Sequence, residues 1–182
     1  MDYEFAPTRL DVKALAQSGS EIAGRDQLSR YARLCADMPG QAPDGTINWT
    51  ARGEWRANAA GQDEVWLKLR IDAALPLVCQ RCLGPVDVPM AIDRWFRFVA
   101  SEDIAQAQDD EAEEDLLVLG REFNLAELIE DELLMDWPAV PRHETCPIAV
   151  KMEAADPDFE ASAEVKTNPF AVLAKLQGGK SS

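Results

Sequence analysis

Ile47-Asn-Trp-Thr-Ala-Arg-Gly-Glu-Trp-Arg56 (INWTARGEWR, residues 47–56) alternates in period two. Ile47, Trp49, Ala51, Gly53 and Trp55 share one side, and Asn48, Thr50, Arg52, Glu54 and Arg56 the other. Successive side chains of a strand point to opposite faces, so this is the pattern of a half-buried β-strand. The turn Asn-Ala-Ala-Gly (58–61) follows, and then Val65, Leu67, Leu69 and Ile71 alternate with Trp66, Lys68 and Arg70. A third run, Val86, Val88, Met90 and Ile92, continues toward Trp95–Val99 past Arg94. Sequential strands with short connections imply an antiparallel meander of about four or five strands. Pro76 and Pro89 have no amide to donate and are expected at edge or bulge positions.

Outward from the strands the period changes to that of helices. Leu28, Tyr31, Ala32 and Cys35 fall on one helical face, predicting an N-terminal helix within 26–35 that ADMPGQAPDG stops. DDEAEED (109–115) lies in an acidic loop spanning about 101–115, and EDLLVLG after it offers a brief strand. NLAELIEDELLMDWP then reads as an acidic helix, with Asn124 as N-cap and Glu127 three residues on. Leu125, Leu128, Ile129, Leu133 and Met135 supply its apolar face, and Pro138 ends it. The fold class expected is α+β, a sheet flanked by two helices in a single domain over residues 1–150. Residues 151–182 are expected to be a linker and a C-terminal segment, NPFAVLAKL (168–176).

Charge narrows the partners. The 182 residues hold 33 acidic and 18 basic side chains, a net charge of −15, with 47% hydrophobic residues. Such a chain repels anionic membranes and free nucleic acid and favours basic partners, ribosomal proteins among them. No run approaches the roughly 20 apolar residues of a membrane span, and MDYEFAPTRLDV lacks the basic and apolar regions of a secretory signal. A cytoplasmic protein is expected, where disulfides are rarely maintained.

CQRCLGP (79–85) is the first chemical constellation. A Cys-x-x-Cys turn between strands can aim two sulfurs at one ion, but structural zinc takes four ligands. His143, the chain's one histidine, and Cys146 complete a Cys₃His set with Cys79 and Cys82. Ordinary reduced cysteines are the alternative, because some sixty residues separate the two halves. Redox activity is the weakest option, since no helix opens at the pair to activate a thiol.

Glu127, Glu130, Asp131 and Glu132 make an acidic ridge on the second helix. It reads as a solvated face, as a docking surface for a basic protein, or as paired carboxylates able to bind a divalent ion. No nucleophile–base pair accompanies them, so a non-catalytic protein is expected. Phe170 and Leu173, with Leu176, would form a narrow apolar stripe that folds back or docks on a partner. Trp66, with Lys68 and Arg70 beside it, could stack single-stranded bases, with Arg52, Arg56, Arg94 and Arg97 adding charge. The overall charge works against that second use.

Taken in order, Cys79-Gln-Arg-Cys82, Glu130-Asp131-Glu132-Leu133 through Pro138, Pro141 and His143, and Asn168-Pro169-Phe170-Ala171-Val172-Leu173 resemble the YceD family of bacteria and plastids. The resemblance spans most of residues 10–176. It implies a role in the synthesis, processing or stability of 23S ribosomal RNA, and it carries over no catalytic residue. Together with the charge, it points to a basic ribosomal protein or large-subunit assembly factor as partner, with RNA contact indirect.

Overall fold

The computed structural model describes residues 6–36, 38 and 45–149. The chain divides into two compact units, Met1–Cys146 and Pro147–Ser182, and the architecture is that of the first. Its class is α+β. One five-stranded sheet runs in the order β1 (Glu21–Gln27), β2 (Thr46–Ala57), β3 (Asp63–Val78), β4 (Pro85–Val99), β5 (Asp115–Val118). The first four strands are antiparallel, with Trp49 opposite Ile71 and Leu69 opposite Arg94. Alternation in β2 and β3 places Ile47, Trp49, Ala51, Val65, Leu67, Leu69 and Ile71 in the core.

The fifth strand departs from the meander. β5 lies parallel to β4, with Phe96 opposite Asp115 and Val99 opposite Val118. A hairpin cannot join parallel neighbours, so the chain must cross over. Residues 100–114 make that crossing, and helix α3 (Glu102–Gln108) lies within it. The stretch expected as a loop over 101–115 therefore holds a helix, started by the Ser101 hydroxyl, which accepts from the Ile104 amide at 3.4 Å. Glu102 and Asp103 occupy the first turn, where the helix dipole favours negative charge.

The N-terminal region also differs from expectation. Helix α1 (Val12–Ser18) starts on Asp11, whose carboxylate accepts from the Ala14 amide at 2.9 Å, and ends at Gly19 with φ +61°. The predicted helix over 26–35 is instead the end of β1, a 3₁₀ turn at Leu28–Arg30 and the short helix α2 (Ala32–Ala36). Leu28 and Tyr31 are buried as their spacing requires, but a buried carboxylate shapes the chain there. Asp26 accepts from the Tyr31 hydroxyl at 3.0 Å and from the Trp49 indole at 2.8 Å. Burial and this hydrogen bond both push the Tyr31 pKa up.

Helices cover one face of the sheet. Val12, Leu15 and Ala16 of α1 and Leu125, Leu128, Ile129 and Leu133 of α4 (Leu125–Met135) enter the same core. Gly53 is the crossing point of α1 on β2: a Cβ there would meet Leu15 and Ala16 backbone at 2.5 Å. The α4 N-cap is Asn124, whose side chain accepts from the Glu127 amide at 3.3 Å. Among the described residues no helix is long and apolar enough to cross a membrane.

At one end β3 and β4 outrun their neighbours. The β2–β3 ladder stops at Ile47 opposite Ala73, whereas β3 and β4 stay paired to Val78 opposite Pro85. Pro76 and Pro89 lie in or at the start of this two-stranded extension, where a missing amide deprives no third strand of a donor. The extension presents CQRCLGP at its tip.

Candidate functional site

The hairpin tip is a thiol-rich knuckle. The Cys79 amide donates to Gly84 O at 2.9 Å and the Leu83 amide to Cys79 O at 2.8 Å, with Leu83 in the left-handed region at φ +57°. The segment after α4 is laid against this turn, the Gln80 amide donating to Pro141 O at 2.8 Å. Cys79, Cys82, His143 and Cys146 thereby converge, with one donor atom from each inside 4.8 Å. Sulfurs about 2.3 Å from a tetrahedral ion stand about 3.8 Å from one another. Cys79 and Cys146 stand at 3.9 Å, and Cys82 Sγ is 3.4 Å from His143 Nδ1. Three sulfurs and an imidazole in this arrangement are compatible with a zinc site.

Local donors prepare the sulfurs. Cys79 is fully buried, which pushes its thiol pKa up, but the amides of His143, Cys82 and Arg81 outweigh burial and bring it down to about 5. The Gly84 amide stabilises the Cys82 thiolate, yet burial and the neighbouring sulfurs of Cys79 and Cys146 raise Cys82. The same turn thus lowers one thiol and raises its neighbour. Arg81 is a site residue the spacing did not single out. Its Nε donates to Cys146 Sγ at 3.0 Å and its Nη2 to His143 O at 2.8 Å. The available signal was its position between the two cysteines of the turn.

The acidic ridge is divided between inside and outside. Glu130 is 8% exposed and its carboxylate faces α2, accepting from the Arg33 and Leu34 amides at 2.8 and 3.1 Å and from Arg33 Nε at 2.9 Å. Asp131 accepts from Arg33 Nη1 at 2.6 Å. Glu132 is 4% exposed, and only Glu127 points freely to solvent. Burial pushes the Glu132 carboxyl above the usual carboxylate range, with Arg94 opposing. The crossing segment is an exposed acidic surface: Glu102, Asp103, Asp109, Asp110, Glu111 and Glu113 are exposed, and residues 98–120 contain no lysine or arginine.

The open face of the sheet carries the expected aromatic and basic residues. Trp66 and Trp95 meet edge to face at 6.3 Å, and the Arg56 guanidinium lies 4.4 Å and 3.9 Å from their ring centres. Asp93 holds both Lys68, at 3.1 Å, and Arg70, at 2.9 Å. Glu54 holds Arg56 at 2.8 Å, and Glu114 holds Arg97 at 2.5 Å. Trp66, Lys68 and Arg70 therefore do share a face, with their cations already paired. Trp49, by contrast, is core. Phe170 and Leu173 lie outside the described residues, as does the remainder of 151–182.

Comparison with known proteins agrees with the resemblance in the motifs. Residues 67–177 match the family described as large ribosomal RNA subunit accumulation protein YceD. A protein of that description from Haemophilus influenzae is 31% identical over 118 residues, 64% of this chain and 67% of the relative. No solved structure matches the chain. The match covers most of β3, the knuckle, β4, the acidic crossing, α4 and the segment beyond it that carries His143 and Cys146, and the chain belongs to the YceD family.

Proposed function

We propose that this protein is a non-catalytic cytoplasmic factor in the accumulation of large-subunit (23S) ribosomal RNA, acting by holding a basic ribosomal protein or assembly factor. The relatives' description supplies the process. The observation that carries the mode of action is the exposed carboxylate arm of residues 102–113 on a chain of net charge −15. An arm of one sign attracts a basic protein over distance and screens it from premature contact with RNA. Glu130 and Asp131 are engaged with α2, which supports a structural rather than a catalytic role for them.

In the same proposal, Cys79, Cys82, His143 and Cys146 hold one structural zinc. Its task is to tie the segment after α4 to the β3–β4 hairpin tip. Three thiolates on a divalent ion leave one negative charge, and Arg81 against Cys146 balances it.

Direct RNA binding through Trp66, Lys68 and Arg70 is the second mode, favoured by the shared open face and the edge-to-face pair Trp66 and Trp95. Against it, phosphate would have to displace Asp93 from both cations. The two modes separate in one titration. Salt-stripped large-subunit proteins and deproteinised 23S RNA are offered in parallel to the purified full chain. Saturable binding of a basic protein that weakens with salt supports the first mode, and binding of RNA alone, lost in Trp66→Ala, replaces it with the second. A deletion strain with normal large-subunit levels on sucrose gradients would discard both.

A further inference from the structure

A groove of about 440 Å³ opens between the C-terminal half of α4 and the sheet, lined by Phe96, Leu117, Leu128, Leu134 and Met135. Its rim is acidic, formed by Asp115, Asp131 and Glu132. Two features mark it as more than a packing irregularity. Met135 is 70% exposed at its mouth, an adaptable side chain able to fit a foreign surface. Glu132 lines the groove while only 4% exposed, and its Oε2 accepts no hydrogen bond among the described residues. Arg94 Nε lies 3.2 Å from that oxygen, but it is not aligned to donate and shares its guanidinium with Asp115 at 3.5 Å. A buried carboxylate with an open acceptor is costly to keep unless something supplies a donor.

We infer that this groove is the seat of the basic partner, which inserts an apolar side chain between α4 and β5 and sets a neighbouring lysine or arginine on Glu132. The inference rests on the reading that the partner is a basic protein, and it names the surface and the chemistry by which that partner is held. The apolar floor supplies burial, and Glu132, whose Oε2 accepts no hydrogen bond among the described residues, selects a cation at its edge. The same rim repels the other occupants. Phosphate would meet a rim whose three carboxylates outnumber Arg94, with Asp131 held by Arg33, and a second copy of this chain would bring its own −15. The exposed arm of residues 102–113 would then act at longer range, raising the encounter rate, while the groove sets the lifetime of the complex.

The test places a benzophenone amino acid at Met135 in one sample and at Glu111, in the arm, in another. Both are irradiated with salt-stripped large-subunit proteins and, separately, with deproteinised 23S RNA. An adduct between position 135 and a basic protein is expected. The affinity of that protein should fall about tenfold or more in Glu132→Gln and in Met135→Asp. Glu132→Gln should at the same time raise the thermal midpoint, so lost binding cannot be ascribed to lost folding. An adduct from position 111 only, with both variants binding like the wild type, overturns the groove and leaves the basic-partner reading standing. Binding of no basic protein, or adducts from position 135 to RNA or to a second copy, overturns both.

Discussion

Glu130 and Arg33 lie 97 residues apart, yet the carboxylate of the first holds both the backbone amide and the guanidinium of the second. The contact explains how α2, only five residues long, persists. So short a helix has little intrinsic stability and four amides without internal partners. Glu130 satisfies those of Arg33 and Leu34 from outside the helix. Glu130→Ala should therefore cost about 2 kcal/mol in denaturant unfolding, with hydrogen exchange accelerating first in residues 32–36. A neutral result would mean that α2 is held by its apolar contacts alone.

Gly53→Ala should destabilise by about 1–3 kcal/mol, because the added carbon meets α1 backbone that cannot move aside without shifting the helix. Alanine at Gly61, where nothing lies within 4 Å, is the comparison for the fold's tolerance of a positive-φ glycine replacement. Melting curves of the two variants separate the steric effect from the backbone one.

Metal content tests the knuckle. Protein purified without chelator should carry about one zinc per chain, and cobalt substitution should give the absorption bands of a tetrahedral thiolate-rich site. Binding near pH 7 must displace the Cys82 proton, while Cys79, with a pKa of about 5, has none to give. Affinity should therefore decline as pH falls, and decline more steeply below about 5, where Cys79 also takes a proton. Calorimetry in buffers of different ionisation heat measures the protons released. Full stability with no metal at any pH would leave three reduced cysteines and a histidine without an ion.

Glu132 gives a pH signature of opposite origin. Burial raises its pKa in the folded state above the ordinary 4.5, so folding favours the protonated form. That preference is fully present below about 4.5 and is lost as pH rises through the folded value. Glu132→Gln, which stays neutral, should accordingly be more stable than wild type at pH 7, with the gap closing on acidification. Urea midpoints at pH 4 and pH 7 decide the matter.

On the open face, Arg56→Ala should cost about 1 kcal/mol and shift tryptophan emission to longer wavelength, because the guanidinium covers both Trp66 and Trp95. If the variant gains affinity for single-stranded RNA, the uncovered rings are the stacking platform that direct binding requires.

The strands were legible because alternation is local: INWTARGEWR states its own faces without reference to the rest of the chain. The same holds for α4, whose Asn124 cap and Pro138 stop are signals within a few residues of its ends. The region from Val12 to Ala36 was not legible in this way. Its elements are short, and Asp26 organises them only once Trp49 has been delivered from β2. The acidic crossing looks like a loop because its charge conceals the helix that lies within the crossover joining β4 to its parallel neighbour β5.

Composition, periodicity and the order of three motifs determined the class of the fold, the charge of this chain and the family. Tertiary structure alone decided what the functional groups do. Cys79 and Cys82 meet His143 and Cys146, some sixty residues away, because the β3–β4 extension and the segment after α4 happen to be hydrogen-bonded, through Gln80 and Pro141. Four neighbouring carboxylates on one helix are indistinguishable as letters, yet Glu130 is a cap, Asp131 an ion pair, Glu132 a buried charge and Glu127 a solvated one. The reason is dielectric: a carboxylate's role follows from how much water and how many donors its packed surroundings leave it, and those surroundings come from distant parts of the chain.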